Sequence, residues 1–523
     1  MKFLFRVLNR MIGILTNLRW YHLPLVSILS LLAIFICAFI YKVLWEPEMR
    51  KRHFQKQGIK IIKITGIDHY GDLQRSLDRY GDALIAIRNE IRENPNIKMF
   101  AFQTGPMIAF APMDAAYIKE FLAVDYHNYS KTHLIDFLSM IMGKSLLYQH
   151  GEDWKVLRKL TAKAFQFDVL AANLGKIEET ADWLYDRAQN GNLEKFNALD
   201  EFQMGTGEVV GKTFFGDNLS DYTIEGKSIC LALADLLREI TQNSMSLLFF
   251  LFGMKLVKLN LLPSHRKALR NIKNFKTMCQ KIIDAQRASG KKTEGFLQTF
   301  FDAASDPEFS RFVTDDVIID QFILMFIGGT DTTSHTLSLA MYFLERNPEM
   351  KARMEKELNE VWPEGVSVDI TILNKLEYMH AFLKEVLRIG PPITWMIPRR
   401  ALKNHKIIDI EISKGTNVAL QFFAPHVNPK YYKNPEQFDP DRFLRKDPEE
   451  GFNKEPFAFM GFSAGPRNCI GQHLAMLKAK IFLGKLLHRF EFKLPGDYKF
   501  QMSQNEFYEP RYPLVFHLTP KTK

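Results

Sequence analysis

Cys469 stands alone in Phe462-Ser-Ala-Gly465-Pro-Arg467-Asn-Cys469-Ile-Gly471, just ahead of a helical pattern running from Gln472 to Phe490. These residue types suit an axial thiolate on haem iron, because a thiolate pushes electron density onto the metal and favours O–O cleavage. At the start of a helix, free N–H groups and the positive dipole end stabilise the anion. Gly465 permits a tight bend, and Gly471 lets the following helix approach a flat macrocycle. Arg467 can fork onto a carboxylate such as a haem propionate, and Phe462 can shield the sulfur from water. The competing reading is a buried free cysteine in a loop. Five fixed residues at this spacing argue against it, since chance would produce them in about one chain of this length in several thousand.

A second run could do complementary chemistry. Phe322-Ile-Leu-Met-Phe326-Ile-Gly328-Gly329-Thr330-Asp331-Thr332-Thr333-Ser334 sits inside an apolar pattern that predicts one helix from about Asp315 to Arg346. Each glycine costs a helix about 1 kcal/mol, so something must offset the pair. Without side chains at Gly328 and Gly329 the helix could pass close over a flat cofactor and leave room for a diatomic ligand. Asp331 and Thr332 form the acid–alcohol pair that oxygen activation needs, one relaying protons and the other hydrogen-bonding bound oxygen. Phe326 and Gly328 are candidate substrate contacts. The alternative is a helix kink with surface polar residues.

Both runs resemble, position by position, the cysteine-loop and oxygen-binding signatures of the cytochrome P-450 superfamily, the haem-thiolate monooxygenases. Gly151-Glu-Asp-Trp154-Lys-Val-Leu-Arg158 is similar to the family helix whose Trp and Arg, four apart, face the haem propionates. Arg399, after Pro398, matches the second propionate-binding position. Glu385 and Arg388, with Arg442 in Pro440-Asp-Arg442-Phe443, match a buried network that locks a helix to the cysteine loop. Two guanidinium groups around one carboxylate meet the demand that a buried ion pair be fully hydrogen-bonded. Pro391-Pro392-Ile393-Thr394-Trp395 would be a stiff run toward the haem edge, with Ile393 and Thr394 as candidate substrate contacts.

The resemblance spans about Lys60 to the C-terminus. It implies a mainly α fold with small β-sheets, a helical haem domain plus a small β region, with haem b between the central helix and the cysteine loop. It implies insertion of one oxygen atom from O2 into a hydrophobic small molecule. Electrons would come from an NADPH-dependent flavoprotein reductase, with cytochrome b5 as a second donor. One departure matters: Gly328 stands where a fatty-acid-oxidising branch carries a glutamate esterified to haem, so no such link is expected. The chain has no Rossmann-type glycine motif of its own and should not bind NADPH directly. A peroxide-using or isomerising haem-thiolate enzyme, or a non-catalytic haem-binding protein, would not need Asp331 and Thr332.

The elements that must hold these residues follow from composition and pattern. A chain of 523 residues, 46% hydrophobic with 43 Phe, can build a large core. Four cysteines (Cys37, Cys230, Cys279, Cys469) without paired spacing fit a reducing compartment and exclude a disulfide scaffold or thiolate zinc site. The formal charge of +10 favours anionic neighbours, but dispersed lysines and an N-terminal anchor argue against nucleic acid. Residues 1–22 read as a basic amphipathic segment and 23–41 as a transmembrane anchor, uncharged and long enough for about 30 Å of hydrocarbon. Residues 42–64 form a basic linker, and 65–523 the haem-thiolate catalytic domain. A cleaved signal peptide would be shorter and start earlier. The Lys/Arg excess after the run places the catalytic domain in the cytoplasm, and the resemblance is to the microsomal type, at the endoplasmic reticulum membrane, among lipid and lipophilic substrates.

Ile97 to Phe110 predicts two strands around Thr104-Gly105-Pro106, followed by a helix over Met113 to Leu122, and Tyr508 to Thr519 predicts a strand pair closing the pocket. Two phosphate-loop look-alikes lack a required glycine: Leu138 precedes Gly143-Lys144-Ser145, and Thr206 interrupts Gly205 to Thr213. Ser244 to Met254, eleven residues without a charge, is either a buried core helix or a substrate-access lid whose tip enters the membrane. Lys155, Lys159 and Lys163 are either a solvated face or a docking patch for an acidic electron donor. No histidine has metal-ligand spacing, and His426 reads as a structural hydrogen-bonder.

Overall fold

The computed structural model describes residues 23–63, 69–104, 107–131, 137–244, 249, 253–290, 295–445, 455–505 and 507–521. The N-terminal helix is α1 (Leu23–Ile40); the helices that position the site are α2 (Gly151–Lys163), α3 (Ala198–Val210), α4 (Asp315–Arg346), α5 (Glu377–Ile389) and α6 (Gln472–Arg489). The strands β1 (Lys60–Lys63), β2 (Met99–Thr104), β3 (Met107–Pro112), β4 (Tyr129–Lys131), β5 (Arg399–Ala401) and β6 (Asn417–Val418) form one mixed sheet in the order β1-β2-β3-β6-β5-β4. Near the C-terminus β7 (Met502–Gln504) pairs antiparallel with β8 (Tyr508–Pro510).

The axis of the molecule is α4. Thr314 caps it by accepting from the Val317 N–H at 3.4 Å, Asp315 and Asp316 face the positive dipole end, and Arg346 closes the last turn. Its 32 residues run about 48 Å through the core. The hydroxyls in its middle bond backward along the helix: Thr332 to Gly328 O at 2.9 Å, Thr336 to Thr332 O at 2.8 Å and Ser338 to Ser334 O at 2.8 Å. Back-bonding satisfies side chains that would otherwise be costly inside a helix.

Both phosphate-loop look-alikes are built into packed structure. Gly205 and Gly207 lie within α3, where an added Cβ would meet the Phe482 ring at 2.6 Å or Cys230 Sγ at 2.5 Å. These glycines admit neighbouring side chains. At the other segment the Lys144 N–H donates to Asp320 Oδ2 at 2.8 Å and Ser145 Oγ to Met142 O at 2.6 Å.

Four expectations change. Tyr508–Pro510 and Val515–Pro520 do not pair with each other; the first joins β7 and the second joins Phe490–Lys493. The helix after β3 is Ala115–Lys119, continued as a π turn over Glu120–Val124. The turn residues 105–106 lie outside the described residues, as do 245–248 and 250–252. Phe249 is buried with its ring 6.0 Å from that of Phe137, so this residue is core and not a membrane-dipping tip. The fourth change concerns the anchor. Residues 1–22 lie outside the described residues, and among the described residues no helix is long and apolar enough to cross a membrane. The nearest is α1, 18 uncharged residues, or about 27 Å. At Tyr41 it passes into a π turn that carries Lys42.

Candidate active site

The cysteine loop is folded on itself before any partner is considered. The Ser463 N–H donates to Met460 O at 3.0 Å, Asn468 N–H to Gly465 O at 3.1 Å, and Cys469 N–H to Phe462 O at 2.9 Å. Gly465 has φ of 74°, and a Cβ there would stand 2.5 Å from Leu122 O, so two independent constraints require glycine. The Ala475 N–H then reaches Gly471 O at 2.8 Å and opens α6. The Cys469 side chain is exposed to a cavity of about 460 Å³ between this loop and α4. Surrounding protein raises its thiol pKa, while the Gly471 N–H, Arg158 and Lys478 pull it back. Cys230 and Cys279 are buried in the core, and Cys37 lies on α1.

Three arginines stand along the same cavity. Arg158 on α2 donates to Asn468 O at 2.9 Å and to Asn468 Oδ1 at 2.7 Å, gripping the residue before the cysteine. On the same helix Lys155, Lys159 and Lys163 are exposed. Arg467 lies 4.5 Å over the Trp154 ring. Arg399 on β5 is 4% exposed, yet its Nε and Nη1 have no partner among the described residues. Burial lowers both Arg399 and Arg467 to about 10; the charge of Arg467 adds to the effect on Arg399, and that of Arg158 to the effect on Arg467.

Behind the loop, Glu385 and two further arginines form a closed network. Arg388 grips Glu385 with Nε to Oε2 at 2.7 Å and Nη2 to Oε1 at 2.8 Å. Its Nη1 reaches the carbonyls of His426 and Pro435, each at 2.7 Å. Arg442 Nε donates to Glu385 Oε1 at 3.1 Å, and its other nitrogens reach Lys433 O and Gln437 O. His426 carries the connection forward, because its Nε2 accepts the Met460 N–H at 2.7 Å where the cysteine loop begins. Burial and the Arg388 charge push His426 down to about 3, so the ring is neutral and able to accept.

The α4 wall divides the residues expected to act together. Gly328, Gly329, Thr332, Thr333 and Thr336 line the cavity. A Cβ on Gly328 would meet nothing within 4 Å, whereas on Gly329 it would run into Val210 Cγ2 at 2.5 Å. Gly329 is therefore a glycine because α3 crosses there. Asp331 points away from the cavity: Oδ1 accepts from Gln203 Nε2 at 2.8 Å, and Oδ2 has no partner among the described residues. Burial raises its carboxyl to about 6 despite His335 and Gln203. Phe326 is not a cavity residue either. It is fully buried, with its ring 6.2 Å from Phe275 and 6.4 Å from Phe322. Ile393 and Thr394 do line the cavity.

A family model of cytochrome P450 matches residues 89–517. This chain belongs to the cytochrome P450 family. It is 27% identical over 423 residues to cytochrome P450 4V2 of Rattus norvegicus, covering 78% of each chain. Against cytochrome P450 4V2 of Homo sapiens it is 26% identical over 423 residues, again 78% of each. Against cytochrome P450 3A2 of Rattus norvegicus it is 27% identical over 435 residues, 81% of this chain and 85% of the relative. The protein is a P450 monooxygenase that binds haem through a cysteine thiolate, and membership implies a reductase and a lipophilic substrate in general.

Among the residues of this P450 cavity that sequence reasoning did not mark are Lys478, Gln504 and Phe507. Lys478 is 1% exposed, donates Nζ to Gly329 O, and is lowered by burial to about 7. Its signal was a lysine inside the apolar run of α6. Gln504 and Phe507 border the β7–β8 turn and carry no motif.

Proposed function

We propose that Cys469 is the axial haem ligand and that this P450 oxidises an uncharged, largely apolar small molecule held against the α4 wall. The observation that carries this reading is that the cysteine open to the cavity shares it with Arg158, Arg399 and Arg467, none of which has a carboxylate partner among the described residues. A buried unpaired guanidinium is unfavourable unless an anion completes it. Two propionates supply that anion, so the residues fit haem b. Arg399 and Arg467 would hold the propionates with Trp154 as a flat support, while Arg158 keeps Asn468 and hence Cys469 in place. Phe462 and Gly471 line the cavity beside the sulfur. When bound, haem supplies the site at which O2 is activated by two electrons, one oxygen atom going to substrate and the other to water.

The remaining chemistry belongs to the chain. Thr332 Oγ1 is a hydroxyl on the α4 wall, and turning it from Gly328 O frees its proton for the cavity. Asp331, whose carboxyl burial raises to about 6, would reach Thr332 to replace that proton only by leaving Gln203 and turning toward the cavity. Electrons would come from an NADPH-dependent flavoprotein reductase or cytochrome b5 docked on the exposed Lys155, Lys159 and Lys163, since the same helix grips the cysteine loop from within. The uncharged α1, with exposed Leu31 and Ile34, supports attachment of residues 23–41 in the endoplasmic reticulum membrane with the body facing the cytoplasm.

The deciding experiment is a carbon monoxide difference spectrum of the reduced protein. Cys469→Ala should abolish the thiolate-type band, and its persistence would mean another ligand. Thr332→Ala should keep the band but divert reducing equivalents to peroxide; fully coupled turnover would remove Thr332 from the reaction.

A further inference from the structure

Away from the arginines the cavity is walled by side chains such as Leu146, Leu324, Ile393, Phe422 and Phe507. Besides the threonines of α4 and Lys478, its polar groups include one pair bonded to each other across the chain. Thr394 Oγ1 donates to Gln504 Oε1 at 2.5 Å, joining residues 110 positions apart in sequence. The amide orientation is set from outside, because Gln504 Nε2 donates to Asn505 O at 3.1 Å and leaves Oε1 for Thr394. Both partners are fixed. Thr394 is 1% exposed and its carbonyl accepts the Phe422 N–H at 2.8 Å. The β7–β8 turn is fastened to α4 where Glu509 Oε2 meets His335 Nε2 at 2.8 Å and Oε1 accepts from Asn505 Nδ2 at 2.7 Å. The Phe507 ring lies against His335 with centroids 4.6 Å apart.

The hydrogen-bond inventory of the pair is unbalanced. Thr394 has spent its proton but keeps a lone pair, and Gln504 keeps one N–H and one lone pair of Oε1. One open donor beside open acceptors complements a hydroxyl, which accepts and donates at once. A carboxylate would face those lone pairs with a single N–H to meet it. We infer that the Thr394–Gln504 pair reads one hydroxyl of an otherwise apolar substrate and so fixes how the molecule is oriented in the cavity. The inference rests on the reading of this cavity as the substrate site.

The test uses the haem-loaded full-length enzyme in detergent and two ligands of nearly equal shape, dodecan-1-ol and 1-fluorododecane. Affinity is read by equilibrium dialysis, independently of any spectral change at iron. The wild type should prefer the alcohol about tenfold, the worth of one to two net hydrogen bonds. Thr394→Val and Gln504→Met, which keep size and remove the polar atoms, should each bring the ratio toward one while leaving 1-fluorododecane within about twofold. A ratio near one in the wild type, or a tenfold preference persisting in both variants, overturns the assignment. So does tighter binding of dodecanoate than of the alcohol. The two substitutions lie on different elements, so loss of fold in one leaves the other to decide. A carbon monoxide spectrum on the same samples separates the two readings: a missing thiolate band defeats the haem assignment, whereas the dialysis ratio alone decides the polar pair.

Discussion

Two groups of buried arginines lie on either side of the cysteine loop, and they are built on opposite rules. Arg388 and Arg442 share one carboxylate, and their remaining nitrogens reach backbone carbonyls. Arg399 is nearly as enclosed and Arg467 half-buried; each feels the charge of another arginine of the site, and neither has a carboxylate partner among the described residues. The first group is complete as protein, so its work is to fix the loop. The second is incomplete among the described residues, and on the proposed reading an anion completes it. On that reading, satisfied and unsatisfied polar groups divide positioning from binding within a few residues of the same loop.

The most severe way to break the comparison is Glu385→Gln. It leaves two guanidinium charges buried without a counter-ion and should cost about 3–5 kcal/mol. Denaturant unfolding of the variant measures this, and a loss below about 1 kcal/mol would show that the carbonyls alone suffice. Next is the carboxyl of Asp331, whose Oδ2 has no partner among the described residues. With its pKa raised from 3.8 to about 6, the folded state holds a proton that the unfolded chain releases, so stability falls as pH rises through that window. The difference amounts to ~3 kcal/mol near pH 8 and about half that near pH 5. Asp331→Asn should therefore stabilise the fold by up to those amounts. An equal gain at both pH values would mean that the carboxyl is not the cause.

Arg399→Met inverts the expectation for the first group. Losing an unpaired buried cation should leave the haem-free protein as stable or more so, while the lost charge-assisted bonds weaken haem retention by about 1.5–3 kcal/mol, roughly 10- to 100-fold. Haem transfer to an acceptor protein reads the second quantity and thermal unfolding the first. Arg388→Met should instead destabilise the haem-free protein. If both variants behave alike, the division between the two groups is not real.

What the sequence made legible follows the same division. Contacts local in the chain, or set by a fixed chemical requirement, could be read directly. The central helix runs from Asp315 to Arg346 as the pattern implied, and Glu385, Arg388 and Arg442 meet. Whatever depends on which neighbour crosses a helix face could not. Nothing in the run Gly328-Gly329-Thr330-Asp331 states that α3 passes over Gly329 or that Gln203 draws Asp331 away from the cavity. The same holds for Phe326 and Phe249, which pack on Phe275 and Phe137, both far away in sequence. Gln504 meets Thr394 only through the β7–β8 hairpin, a contact with no local trace.

The adjacent glycines of α4 carry the comparison down to single methyl groups. At Gly328 an alanine methyl would enter open space, and in the helix interior it should stabilise the haem-free chain by about 0.5–1 kcal/mol. It would also occupy part of the cavity, so ligand affinity should fall. At Gly329 the same gain is opposed by Val210 Cγ2 at 2.5 Å, an overpacking cost of about 1–3 kcal/mol. Gly329→Ala should therefore be neutral to destabilising, and Val210→Ala in the same chain should recover the loss. Thermal unfolding of the two single variants and the double variant checks this. Without that recovery, Gly329 would have to be a glycine for the cavity after all, and the two positions would no longer differ in kind.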